Sequence, residues 1–286
     1  MVKSGVMGAC RRAAKHLFPE SYQYLSSLRF RLHCKRKYAV FQRRVKASLY
    51  GDRMPTVLSG PFKGLGYLDE EGLWGPITPK WIGSYEDELH PFLEQILARP
   101  PQLILDVGSA EGYYSVLLAA RLPGTVVHSY DIDPFARRSQ RRLARLNGVC
   151  NLRIGSHCDH HRMAQILGSC ADGGMIICDI EGGERSLLDP GLCPPLAQAV
   201  ILVEVHDMQG SDRTGTGKLL TKRFEASHHI EFVEHKVKDL KAYQQVLGDA
   251  LPLDDLAQAL NEAREASRGY LIMRPRDVST VQSPVT

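Results

Sequence analysis

From Gln102 onward the apolar and polar positions switch between two periods, and the switch repeats. Short apolar runs at 102–107, 125–131, 151–155, 174–180 and 199–205 are rich in Ile, Val and Leu and read as strands buried on both faces. The segments 113–121, 134–147, 159–168, 183–189 and 214–226 carry helical spacing instead. Five strand–helix units in succession predict a parallel sheet covered on both faces, with right-handed crossovers. Two further strand-like runs, 229–234 and 269–273, close the pattern, with a helix over about Leu253–Ala266 between them.

Upstream the pattern differs. Ser21 to Tyr50 contains neither Gly nor Pro. There Leu25, Leu28 and Leu32, then Phe41, Val45 and Leu49, recur at helical spacing, which predicts one or two amphipathic helices. Gly51 to Gly83 reads as loop and holds both tryptophans, Trp74 and Trp81. Ser84 and Asp87 resemble a capping box for a helix running to Arg99, with Pro91 in its first turn and Pro100-Pro101 as its stop. The expected organisation is a helical extension and loop over 1–80, an α/β domain over 81–275 and a flexible tail over 276–286.

Composition narrows the class. A chain of 286 residues with 43% hydrophobic content can bury a sizeable core. No window approaches the roughly 18 continuous apolar residues of a membrane span. Seven cysteines are scattered without a CxxC pair, which suits free thiols in a reducing, cytoplasmic setting. The net charge of +4 conceals an asymmetry, since residues 1–50 hold twelve Lys or Arg against the single acid Glu20. The rest of the chain is mildly acidic. Two readings of the basic arm stay open: a surface for an anionic partner, membrane lipid ahead of nucleic acid, or a structural cap on the main domain.

The chemistry is concentrated where strands end. Leu103 to Val107 runs into Gly108-Ser109-Ala110-Glu111-Gly112 and then a helix, a strand–turn–helix unit suited to holding a ligand against main-chain N–H groups. A dinucleotide fingerprint would need glycines at 110 and 113, where Ala110 and Tyr113 stand. The second strand ends in Asp131, placed to accept both hydroxyls of a ribose, while Asp133-Pro134 reads as a helix cap. The third strand leads to Gly155–His161, where His, Cys and Asp cluster without a second group at metal-ligand spacing, so no metal is expected there. The fourth delivers Asp179, Glu181 and Glu184, the fifth Glu204 and His206, all at the carboxyl edge of the sheet. Glu184 reads as a first-turn acid facing a helix dipole.

Taken in order, Gly83-Ser84-Tyr85-Glu86-x-Glu88, Asp106-Val-Gly-Ser-Ala-Glu-Gly-Tyr-Tyr-Ser, Tyr130-Asp-Ile-Asp-Pro, Asp179-Ile-Glu-Gly-Gly-Glu and Glu204-Val-His resemble the FkbM-type branch of class I methyltransferases that use S-adenosylmethionine (SAM). The match covers residues ~81–275 and departs from the branch at Ser109-Ala110-Glu111. The resemblance implies a Rossmann-like, seven-stranded, mostly parallel sheet ending in a reversed hairpin. It implies that Asp106, Gly108, Ser109, Glu111 and Gly112 surround the methionine end of SAM, with Tyr85 and Glu86 nearby. Asp131 and Ile132 would then serve the ribose side, and Cys158 or Asp159 the adenine. The expected reaction is O-methylation of a hydroxyl on a sugar, glycan or small metabolite. Asp179 or His206 would be the base, and Glu181 and Glu204 would orient the acceptor. An RNA methyltransferase and a SAM-binding regulatory protein without turnover are the alternatives.

Overall fold

A computed structural model of the chain describes residues 37–69, 75–206, 215–264 and 269–276. Its centre is a seven-stranded sheet of order β3-β2-β1-β4-β5-β7-β6. The strands are β1 Leu103–Val107, β2 Val126–Tyr130, β3 Leu152–Gly155, β4 Met175–Cys178, β5 Val200–Val205, β6 His228–Glu234 and β7 Gly269–Pro275. β1 to β5 are parallel, whereas β7 runs antiparallel between β5 and β6. This is the Rossmann-like parallel sheet that the strand pattern predicts, closed by the reversed final hairpin that the resemblance implies.

The helices follow in chain order. Residues 37–50 form α1; α2 is Thr78–Ile82, α3 His90–Ala98, α4 Tyr113–Arg121, α5 Pro134–Leu146, α6 His160–Leu167, α7 Glu184–Leu187, α8 Thr216–Phe224, α9 Leu240–Leu247 and α10 Leu253–Ala259. No described helix is long and apolar enough to cross a membrane.

Strand alternation builds two cores. Side chains of successive strand residues point to opposite faces, so Ile104, Met175, Ile177 and Leu202 join one cluster while Leu105, Ile176, Ile201 and Val203 join the other. The first cluster takes in α4 through Val116 and Leu117, and also Val45, Tyr50, Val57, Phe62, Tyr67 and Trp81 from the segment before the sheet. The second is closed by Met163 and Ile166 of α6 and by Leu220 and Phe224 of α8.

Three local expectations need correction. The Ser84–Asp87 capping box does not form, because Ser84 Oγ donates to the Pro79 carbonyl and Asp87 accepts from Lys238 and Tyr243. Long-range partners have taken both residues, and a 3₁₀ turn over Asp87–Leu89 leads into α3, with Pro91 in the first turn as expected. The stretch 51–83 is not all loop, since it contains α2. The closing segment holds α9 in addition to α10, and α10 is shorter than its spacing suggested because it ends at Ala259.

Of the basic arm, residues 1–36 lie outside the described residues, as do Trp74 and 277–286 of the tail. The described part is docked. Val45 and Tyr50 are core residues, while Arg44 pairs with Asp255 and Lys46 with Asp69.

Phe62 is fully buried and meets Tyr113 edge-on at 5.3 Å between centroids. Phe62→Ala should therefore cost ~3–5 kcal/mol in urea denaturation. Val40→Ala, at an exposed position of α1, should stay within about 0.5 kcal/mol. Equal effects would mean that the segment before α2 is not part of the domain core.

Candidate active site

The sheet's parity fixes which face carries the polar groups. Asp106 follows Ile104, Asp179 follows Ile177, and Glu204 follows Leu202, so all three stand on the face that packs against α4 and the segment before the sheet. Cys178 pairs with Val203, which brings Asp179 beside Glu204 at the sheet's carboxyl edge.

The turn after β1 sits over this edge. Gly108 has φ +86°, and a Cβ there would lie 1.7 Å from the Asp179 carbonyl oxygen, so only glycine lets the two loops touch. Asp131, at the end of β2, latches the turn: Oδ2 accepts the Ala110 N–H at 2.8 Å and Oδ1 the Asp133 N–H at 2.7 Å. Asp133 caps α5 by accepting the Phe135 N–H at 2.8 Å, the capping role that the sequence predicts for it. Ser109, Ser129, Ser115 and Gln140 form a buried hydrogen-bond cluster beneath the turn. Asp106 accepts the Ser115 N–H at 3.1 Å; burial nevertheless raises its pKa to about 7. Burial likewise raises Asp131 to about 6, against the pull of the two N–H groups.

A crevice opens between this turn, the ends of β4 and β5, and the segment before α3. Glu86, Asp106, Glu111, Asp179 and Glu204 line it, with Lys80 the one cation on its wall among the described residues. Glu111 is spoken for by Lys80 and Tyr67. Glu86 stands at φ +50°, buried, and accepts from Tyr114 and from Arg264. Arg264 also donates to Glu204 at 2.7 Å, to Tyr270 at 2.7 Å and to Tyr85 at 2.7 Å, and lies 3.1 Å from Glu262. Lys238 reaches Glu262 at 2.8 Å and Glu88 at 2.9 Å, tying the network to β6 and the 3₁₀ turn. The cations do not balance the acids. Burial, then the neighbouring Glu204, Glu86 and Glu181, hold Asp179 well above the usual carboxylate range. Glu204 is also raised by burial, although Arg264 opposes this.

The second constellation is built on Glu184. Its carboxylate is buried and accepts the Ile180 N–H at 3.1 Å and the Gly182 N–H at 3.0 Å, so it organises the loop that carries Asp179 and Glu181. It also receives His206 Nδ1 at 2.9 Å. Burial opposes its charge, but His206 and the Gly182 N–H outweigh that and keep Glu184 below the ordinary glutamate range. Reading Glu184 as a helix-dipole acid captured its first-turn position and missed this contact. The partner, His206, lies on another strand, which no local pattern reveals.

His206 Nε2 faces Glu181 at 3.5 Å and Asp179 and Glu204 at 3.7 Å each. Burial lowers the pKa of His206, but Glu184, Glu204 and Glu181 more than offset this and raise it. The structure thus brings together all four residues expected to be catalytic. Of those expected around the cofactor, Tyr85, Glu86, Asp106, Gly108, Ser109 and Glu111 line the crevice. Gly112 begins α4, Asp131 latches the turn from below, and Ile132 is half-exposed on its far side. Cys158 is buried among Met163, Leu187 and Cys193 in the second core, with its thiol pushed up to about 12 by burial. The residues that sequence reasoning missed are Lys80, Tyr114, Glu262 and Arg264. Lys80, Glu262 and Arg264 come from segments with no motif, and only the fold makes them neighbours, whereas Tyr114 lies within the Asp106–Ser115 motif but was given no role.

No family model matches the chain, and no curated protein matches it. Among solved structures it is similar to the O-methyltransferase TomG from Streptomyces achromogenes, a complex with SAM, at 13% identity and a TM-score of 0.42, covering 64% of this chain and 77% of that one. It is similar to cofactor-bound Rv0187 from MTB at 12% identity and a TM-score of 0.42, covering 69% and 82%. It is also similar to the fibrillarin/Nop5p complex at 12% identity and a TM-score of 0.40, covering 65% and 81%.

The buried Asp106 gives a signed pH effect. Between the unfolded carboxylate range and about 7, the folded state holds a proton that the unfolded state has lost, so stability falls as pH rises through that window. Asp106→Asn keeps an oxygen for the Ser115 N–H and removes the titration. The difference in Tm, variant minus parent, should therefore grow from pH 4 to pH 8 in the ligand-free protein. A flat difference would place the Asp106 proton elsewhere.

Proposed function

We propose that this chain is a SAM-dependent methyltransferase that transfers to a hydroxyl of a sugar, glycan or small metabolite. The observation that carries the reading is the charge of the crevice. A glycine turn latched by an acidic strand end is common to nucleotide sites, but here the wall beneath it has more buried carboxylates than cations. A pyrophosphate would be repelled by Glu86, Asp179 and Glu204. A ligand bearing an ammonium and a sulfonium would instead relieve the repulsion that raises Asp179 and Glu204. Gly108 leaves room for close backbone approach, and Asp131 keeps acceptor lone pairs for a diol while its two N–H partners hold it rigid.

Bound in this crevice, SAM supplies the activated methyl group. The residues have three tasks. Glu86 and its Arg264–Glu204 network supply negative potential at the amino-acid end. The Asp131 carboxylate faces the ribose. Asp179 and His206, at the open rim, receive the proton that an acceptor hydroxyl loses, while Glu181 and Glu204 orient that hydroxyl. The proton relay is already aligned, because ionised Glu184 holds the proton of His206 on Nδ1 and points Nε2 toward the rim.

Two experiments test this reading. Asp131→Ala should weaken SAM binding in calorimetry by ~1.5–3 kcal/mol, the range for hydrogen bonds to a charged group; unchanged affinity in a folded variant would remove Asp131 from the site. Asp179→Asn should keep SAM affinity while turnover with labelled SAM falls ~10²-fold or more, the scale on which a positioned base acts. Loss of SAM binding in step with turnover would make Asp179 a cofactor residue. Uptake of label by RNA, with none into hydroxylated small acceptors, would overturn the proposed substrate class.

A further inference from the structure

Two buried polar atoms at the rim have no hydrogen-bond partner among the described residues: Asp179 Oδ1 and His206 Nε2. They lie 3.7 Å apart, and the exposed Glu181 carboxylate stands 3.5 Å from the same nitrogen. Leaving such atoms unpaired is costly in a buried setting. Three carboxyl groups, Asp179, Glu181 and Glu204, surround Nε2, a setting that suits a cation.

The support behind His206 is specific. Nδ1 is committed to Glu184, whose carboxylate is in turn fixed by the Ile180 and Gly182 N–H groups. A histidine that donates one ring N–H to a buried carboxylate presents the other nitrogen as a lone pair of set direction, the arrangement found behind metal-ligating histidines. The same loop that is pinned to Glu184 carries Asp179 and Glu181. Glu204 is near but differently engaged, since its Oε1 takes the Arg264 guanidinium at 2.7 Å.

We infer that Asp179, Glu181 and His206 form a binding site for a divalent cation. One ligand atom from each of the three lies within 4.8 Å of the others. With bonds of about 2.0–2.2 Å, nitrogen–oxygen separations such as these subtend open angles near tetrahedral. One imidazole with two carboxylates suits Mn²⁺ or Zn²⁺ better than Ca²⁺, which takes oxygen ligands alone. Three protein ligands leave coordination positions toward the crevice mouth. These would accept oxygens of the acceptor, favouring substrates with adjacent oxygens; with Asp179 and His206 engaged as ligands, the hydroxyl acidified by the cation would lose its proton to solvent at the open rim rather than to either residue. The cation's role in transfer rests on the methyltransferase reading, but its binding does not.

The test uses the full chain and Mn²⁺ alone, followed by the electron paramagnetic resonance signal of free Mn²⁺, with SAM binding measured separately by calorimetry. One Mn²⁺ per chain should bind, with Zn²⁺ competing. Asp179→Asn and His206→Phe should each weaken it at least ~10-fold, and Glu184→Gln, which loosens both the His206 ring and the loop carrying Asp179 and Glu181, ~10–100-fold. Asp179→Asn is nearly isosteric, and unchanged thermal unfolding with retained SAM binding shows that it is folded. No stoichiometric Mn²⁺, or equal affinity in Asp179→Asn and the parent, overturns the site. SAM binding without Mn²⁺ binding would leave the proposed function standing and remove the cation. Mn²⁺ binding without SAM binding would do the reverse.

Discussion

The structure depends on an imbalance of charge that the fold cannot correct by itself. Parity along β1, β4 and β5 sends Asp106, Asp179 and Glu204 to one face of the sheet, and the segment before α3 lowers Glu86 onto them. Arg264 answers Glu86, Glu204 and Glu262 together, and Lys238 answers Glu262 with Asp87 and Glu88. That leaves the crevice with more acids than cations. Breaking one member of such a network leaves a buried charge without its partner, which is more destabilising than the intact pairs are stabilising. The same surplus is what makes the crevice selective, because a cationic ligand restores the balance and an anionic one worsens it. Stability and recognition therefore draw on the same carboxylates.

Much of this was legible before any coordinates. The apolar runs at β1, β4 and β5 are too continuous for half-exposed strands, so they had to be central, and the acids after them had to fall at the carboxyl edge. Asp131 and Asp133 were separable because Pro134 marks a helix start and leaves the earlier aspartate free for another task. The capping box at Ser84 and Asp87 was a false signal of the same local kind. Its spacing was right, but Asp87 faces Lys238 and Tyr243, about 150 residues away, and a long-range ion pair outweighs a cap.

The support of the site was not legible, and for a physical reason. Arg264, Glu262 and Lys80 sit in segments without a chemical motif, and each matters because the topology folds it over the edge of the sheet. Glu184 is the sharpest case. In the sequence it is one more acid at the start of a short helix, and in the structure it is the fully buried carboxylate that two loop N–H groups and an imidazole share. Local pattern reports which residues can reach an edge, whereas the partners they meet there are set by strand order.

Strand order also explains why two unsatisfied atoms, Asp179 Oδ1 and His206 Nε2, meet at the rim. β4 and β5 are neighbours, so the residues that follow them emerge side by side, and the loop after β4 must curl back to clear the turn at Gly108. Glu184 makes that curl by gathering the Ile180 and Gly182 N–H groups, and the contact between the Asp179 carbonyl and Gly108 locks it. With the backbone held at both points, Asp179 and Glu181 stand 3.7 and 3.5 Å from Nε2 of His206, whose ring is fixed from behind by Glu184. A packed α/β edge would ordinarily bury an apolar contact in such a place. The retention of acids there, at the cost of raised pKa values, marks the rim as the part of the molecule shaped by chemistry rather than by stability.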